Sequence, residues 1–210
     1  MADWSTIASL STAGGTLVLA LATFASVRSA NRAARVAENS MLENLRPLLV
    51  PSRLEDPPEK VGFQDDHYVR VAGGHGCAEI GDDAIYLAMP LRNVGNGIAV
   101  LDRWDICTER LAGDSTHNDP ETYRRLTRDL YVPPTDRGFW QGALRDPTDE
   151  MYEYTRAAIK ERTQITIDLL YGDFDGGQRV ISRFVFRPVA EDDWLVASAR
   201  HWNLDRPQPR

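Results

Sequence analysis

The chain is poor in the residues that usually advertise chemistry. Its 210 residues include two cysteines, four histidines and only two lysines, Lys60 and Lys160. Two cysteines exclude a disulfide framework, and without clustered partner ligands they make no zinc signature. Cys77 and Cys107 are expected to be free thiols in a reducing compartment and a candidate pair only in an oxidising one. No histidine falls in an H-E-x-x-H or H-x-H pattern, and there is no Gly-x-Ser-x-Gly elbow. With 42% apolar and 26% charged residues, the chain is neither collagen-like nor wholly disordered. Net charge is −7, and residues 51–210 alone hold 20 basic and 28 acidic side chains, a net of −8. An acidic domain argues against nonspecific nucleic-acid binding, which needs a basic face.

Charge is also missing from residues 4–27. As a helix these 24 residues would span about 36 Å, enough to cross a hydrocarbon core of roughly 30 Å with some tilt. The first half is rich in Ser, Thr, Ala and Gly, whose hydroxyls can bond back to the helix backbone. The second half, Leu17 to Ala25, is strongly apolar. No polar stripe marks it as a soluble surface helix. Residues 1–3 carry no Lys or Arg, unlike the start of a cleaved secretory signal. Residues 4–27 therefore read as a transmembrane anchor. Arg28, Arg32 and Arg35 follow it closely, and basic residues beside a span stay in the cytoplasm. The N-terminus is expected outside and residues 28–210 inside.

Residues 28–46 contain neither Gly nor Pro, and Pro47 ends them. They read as a helical stalk continuing the anchor. Small residues such as Ala30, Ala34 and Ala37 make a weak seam, so self-association has little support.

Residues 47–210 read as mainly β. Ile165 to Tyr171, Val180 to Phe186 and Trp194 to Trp202 predict a three-strand antiparallel meander, with Pro188 closing the second strand and Arg179, Arg183 and Arg187 outward. Residues 84–91 and 98–106 predict a hairpin around Asn93-Val94-Gly95-Asn96-Gly97, with Asn96-Gly97 in a type I′ turn. Residues 48–54 and 67–72 are shorter strand candidates. About seven strands suffice for a two-layer sandwich, with a closed barrel as the runner-up. Asp119-Pro120-Glu121 predicts a helix to about Arg128, and Asp146-Pro147 another to about Glu161. Residues 119–161 thus read as a helical insertion.

No nucleophile with a base is apparent, and no cofactor or metal site is expected. Asp173-Phe174-Asp175-Gly176 starts like a calcium loop but lacks the later acid, so it reads as a turn. The best binding material is Trp140, with Arg200, His201 and Trp202 near the C-terminus.

Three stretches carry a resemblance: Leu91-Arg92-Asn93-Val94-Gly95-Asn96-Gly97-Ile98-Ala99, Leu45-Arg46-Pro47-Leu48-Leu49-Val50 and Arg200-His201-Trp202-Asn203-Leu204-Asp205. With Leu126-Thr127-Arg128-Asp129-Leu130-Tyr131 and the membrane helix, they resemble uncharacterised single-pass membrane proteins of actinomycetes. The resemblance covers nearly the whole chain. It implies a bacterial anchor bearing an immunoglobulin-like β-sandwich, and it carries no activity. The expected function is non-enzymatic binding or scaffolding at the cytoplasmic face, with the bilayer and a protein as partners. The rival is an enzyme or small-ligand receptor with a site between the sandwich and residues 119–161.

Overall fold

The structure, a computed structural model, describes residues 3–108, 116–190 and 192–206, and side chains at all of these except 4–11 and 190. Two units separate at the Asn44/Leu45 boundary. The first is a single helix, α1 (Trp4–Asn44), long and apolar enough to cross a membrane. Its hydroxyls bond back to the helix as expected: Thr16 Oγ1 donates to the Thr12 carbonyl at 2.9 Å and Thr23 Oγ1 to the Leu19 carbonyl at 2.8 Å. The helix stops just short of Pro47, whose ring disfavours helical backbone at the residue before it.

The second unit is mainly β. In chain order its strands are β1 (Leu49–Pro51), β2 (Glu59–Gly62), β3 (Tyr68–Val71), β4 (His75–Ile80), β5 (Ile85–Asn93), β6 (Ala99–Ile106), β7 (Arg124–Val132), β8 (Arg137–Leu144), β9 (Ile165–Gly172), β10 (Arg179–Ala190) and β11 (Asp193–Asn203). One helix, α2 (Glu150–Lys160), lies between β8 and β9. Every pairing is antiparallel. The main sheet runs β1-β5-β4-β11-β10-β9-β6-β7, with β8 on the other edge of β5. It curls around a core that includes Leu87, Met89, Trp104, Trp140, Ile167, Phe184 and Phe186. The β2–β3 ribbon packs Val61, Phe63 and Val69 with Tyr86 and Ala88 of β5. Tyr123, Leu170, Ile181 and Trp202 form a separate cluster, with Leu204 against it. Strands β5 and β9 are consequently buried almost along their whole length.

The β9–β10–β11 meander forms as the alternation predicts. Strand β10 continues through Pro188, because a register shift between Pro188 and Ala190 accommodates the missing N–H. Arg183 is not outward. It is fully buried and grips Asp168 with two bonds of 2.7 Å, Nε to Oδ1 and Nη2 to Oδ2. The predicted helix from Asp119 is a single 3-10 turn, Pro120–Thr122. Asp119 does cap it, but Tyr123 is extended, and β7 follows because it can pair with β6. Residues 119–161 are therefore not a wholly helical insertion, since β7 and β8 belong to the main sheet. Helix α2 starts later than Asp146. That residue closes a turn by accepting from Thr148, and Asp149 makes the cap by accepting from the Met151 N–H.

The predicted hairpin at 93–97 is also absent. β5 and β6 do not pair, and neither Asn96 nor Gly97 has positive φ. The glycines serve close approach instead. Residues 45–48 cross directly over this loop, and a Cβ on Gly97 would sit 1.7 Å from the Leu45 carbonyl oxygen. A Cβ on Gly95 would sit 2.3 Å from that of Arg46. Gly97→Ala should therefore cost ~2–3 kcal/mol by forcing backbone apart. Gly177→Ala meets its nearest atom at 3.8 Å and should change stability by under about 0.5 kcal/mol. Thermal melts of the two variants check the contrast.

Candidate functional site

Trp140, on β8, is completely buried and meets Trp104 edge-on, with ring centroids 5.3 Å apart. Trp202, on β11, belongs to the cluster with Tyr123 and Ile181. There Arg183 and Arg200 lie over its ring at 4.9 and 5.9 Å, and His117 meets it edge-on. His201 makes a different contact, its Nδ1 hydrogen-bonded to Ser182 Oγ at 2.6 Å. Arg200 and Trp202 are thus brought together, while Trp140 packs in another cluster. Arg28, Arg32 and Arg35 lie on α1, spaced four and three residues apart, which sets them along one helix face.

A different set of side chains lines a polar cavity. Strands β7 and β8 are joined by residues 133–136, and among the described residues each pairs with one other strand, β7 with β6 and β8 with β5. Counted outward from Val132 and Arg137, a closed hairpin would set Arg128 opposite Gln141 and Arg124 opposite Arg145. Two cations directly opposite repel. Among the described residues no ladder joins β7 to β8. The arms stay linked at the first of those positions, where Arg128 Nη2 donates to Gln141 Oε1 at 3.2 Å and the guanidinium lies over Phe139. At the second they find other partners. Arg124 pairs with Asp149 and lies over Trp104. Arg145 pairs with Asp65 at 3.1 Å. Between them a cavity of about 200 Å³ is lined by Arg124, Arg125, Arg145, Gln141, Trp104 and Phe63.

Comparison with family models, curated proteins and solved structures returns no match.

The cleft is suited to an anion. Each of Arg124 and Arg145 answers one carboxylate and retains further N–H donors. The Tyr86 hydroxyl, together with Arg145, holds the Asp65 carboxyl below the usual range, so Asp65 stays charged at neutral pH. Arg125 is exposed on β7, and its cross-strand neighbour is another arginine, Arg103. The cleft arginines were hidden in the sequence by spacing. Leu126 and Leu130 are four apart, which suits a helix face as well as alternate strand positions.

The thiols and the buried serine hydroxyl are not poised as nucleophiles. Burial, and then Glu79, pushes the Cys77 thiol up to about 12. Burial, and then Asp168, does the same to Cys107. Ser182 is fully buried and shares its hydroxyl with Tyr171 at 2.7 Å. Among the described residues no carboxylate contacts His201, and no three His, Cys, Asp or Glu side chains converge as a metal would need. Asp173 closes its own turn by accepting from the Gln178 N–H.

Burial lowers the pKa of His201, so the folded protein keeps it neutral where the unfolded chain protonates it. Its contribution to stability is full above an unfolded pKa of about 6.5 and is lost as pH falls toward the lower folded value. His201→Asn should flatten the fall in Tm between about pH 6.5 and 5. Parallel melts of the two chains across that range check it, and an unchanged slope would contradict it.

Proposed function

We propose that this chain is a membrane-tethered, non-enzymatic binding module that holds an anionic group in the β7–β8 cleft. One observation carries the reading: three arginines, a glutamine amide and two aromatic walls surround a cavity in a domain that is otherwise acidic. Arginine's fixed fork of donors suits carboxylate and phosphate, and partial burial strengthens each bond. Helix α1 supplies the tether. Arg28, Arg32 and Arg35 support a placement of the domain at the cytoplasmic face. The immunoglobulin-like reading draws support from how the main sheet divides. β1, β5, β4 and β8 form one part and β11, β10, β9, β6 and β7 the other, and among the described residues the two-residue β4–β11 pairing is the ladder that joins them. A bacterial, actinomycete source remains what the sequence resemblance suggests.

A small-ligand receptor would use the same cleft, because residues 119–161 line most of it. The test is therefore made with a small anion. Full-length protein in detergent is titrated with citrate at constant ionic strength and melted. Saturating citrate should raise Tm by several degrees, since a ligand at 100 times its Kd adds about 2.7 kcal/mol. The double substitution Arg124→Gln, Arg125→Gln should abolish the rise. Equal protection of both proteins would contradict the reading.

A further inference from the structure

We infer that the occupant of this cleft is an extended acidic polypeptide segment, which adds as a strand to the free edge of β7 and drops one carboxylate side chain into the cavity. This rests on the anion-binding reading above and goes further by naming the class of partner.

Size is the first argument. A drug-sized ligand needs roughly 300–1,000 Å³. The cavity offers about 200 Å³, room for about one side chain. The occupant's remaining bulk must lie outside the cavity, along whatever surface adjoins it.

That surface is a strand edge. β7 pairs with β6 at residues 124–125 and 130–132, with a register shift between them, and among the described residues no strand pairs with its other side. Exposed edges of this kind accept an added strand through main-chain hydrogen bonds. A backbone acceptor of this strand already takes a hydrogen bond from outside the sheet: Gln64 Nε2 donates to the Thr127 carbonyl at 3.4 Å. Gln64 also lines the cavity, so the edge and the cavity are one site.

Charge decides the kind of segment. Residues 124–145 hold five arginines and two aspartates, Asp129 and Asp136, inside a domain whose net charge is −8. Alternate residues of a strand point to one side. A segment with acids at alternate positions would bring one carboxylate between Arg124 and Arg145, and the acid four positions along toward Arg128. A basic segment would meet like charge at each step.

The test uses full-length protein in detergent and a fluorescent ten-residue peptide alternating glutamate with valine. Three further arms accompany it: the same peptide N-methylated at alternate amides, the peptide with lysine in place of glutamate, and citrate. Saturable binding of the parent, weakened at least tenfold by N-methylation and by lysine, is the expected result. Equal binding of the N-methylated peptide overturns the strand pairing while leaving anion binding intact. Failure of every peptide alongside protection by citrate overturns the polypeptide occupant alone. Failure of peptides and citrate together overturns this inference and the reading beneath it. In the Arg125→Glu protein, with an unchanged melt in the absence of ligand, parent binding should fall at least tenfold, and an undiminished affinity would contradict the inference.

Discussion

Asn93 uses its whole side-chain hydrogen-bonding capacity inside the protein. Its Nδ2 donates to the carbonyls of Gly97 at 2.6 Å and Val132 at 3.0 Å. Its Oδ1 accepts from the N–H groups of Leu48 and Gly95, at 3.1 and 3.0 Å. Its own backbone bonds Thr135 and Asp136. One buried amide thereby ties the domain's first residues, the crossover from β5 to β6 and the turn between β7 and β8. The consequence reaches the candidate site. The hairpin is clamped at its turn, while at the far ends of its arms Arg124 and Arg145 turn to separate partners, Asp149 and Asp65. A clamped turn with parted arms is what makes a cleft.

The same residues join stretches that are far apart in sequence. Three stretches meet: residues 45–48 lie on the glycine loop at 95–97, and Arg46 pairs with Asp205 at 2.6 Å and bonds Asn203. Arg46 holds the Asp205 carboxyl below its usual range. The motif is therefore a fastening at the point where the domain begins. Likewise Arg183 and Asp168 are a structural pair. Tyr123 donates to the same carboxylate at 3.3 Å, and Arg183 also reaches the Thr116 carbonyl. Removing either partner of so buried a pair leaves a charge without compensation.

Much of the architecture was legible where the signal was local. The uncharged run gave the long helix, and period-two alternation gave the meander. What stayed hidden depended on distant partners. Asp119-Pro120 is a sound helix start, yet β6 captures the backbone within four residues. Asn96-Gly97 is sound turn chemistry, yet a crossing chain needed the glycines for space. Arg183 alternates as an outward residue should, yet Asp168 and Trp202 enclose it. The cleft was the least legible feature, because it follows from two strands that do not pair. No pattern within either strand announces that.

Amide hydrogen exchange along Arg124–Val132 tests the unclosed hairpin most directly. Backbone N–H groups of an edge strand alternate between the paired neighbour and the open side. The account predicts alternating protection at Leu130–Val132, where β7 pairs with β6 residue by residue, slow toward β6 and fast toward the cleft, and little protection at residues 126–129, where the register shifts. Uniform protection along the strand would mean that β7 pairs on both edges, and the cleft described above would not exist.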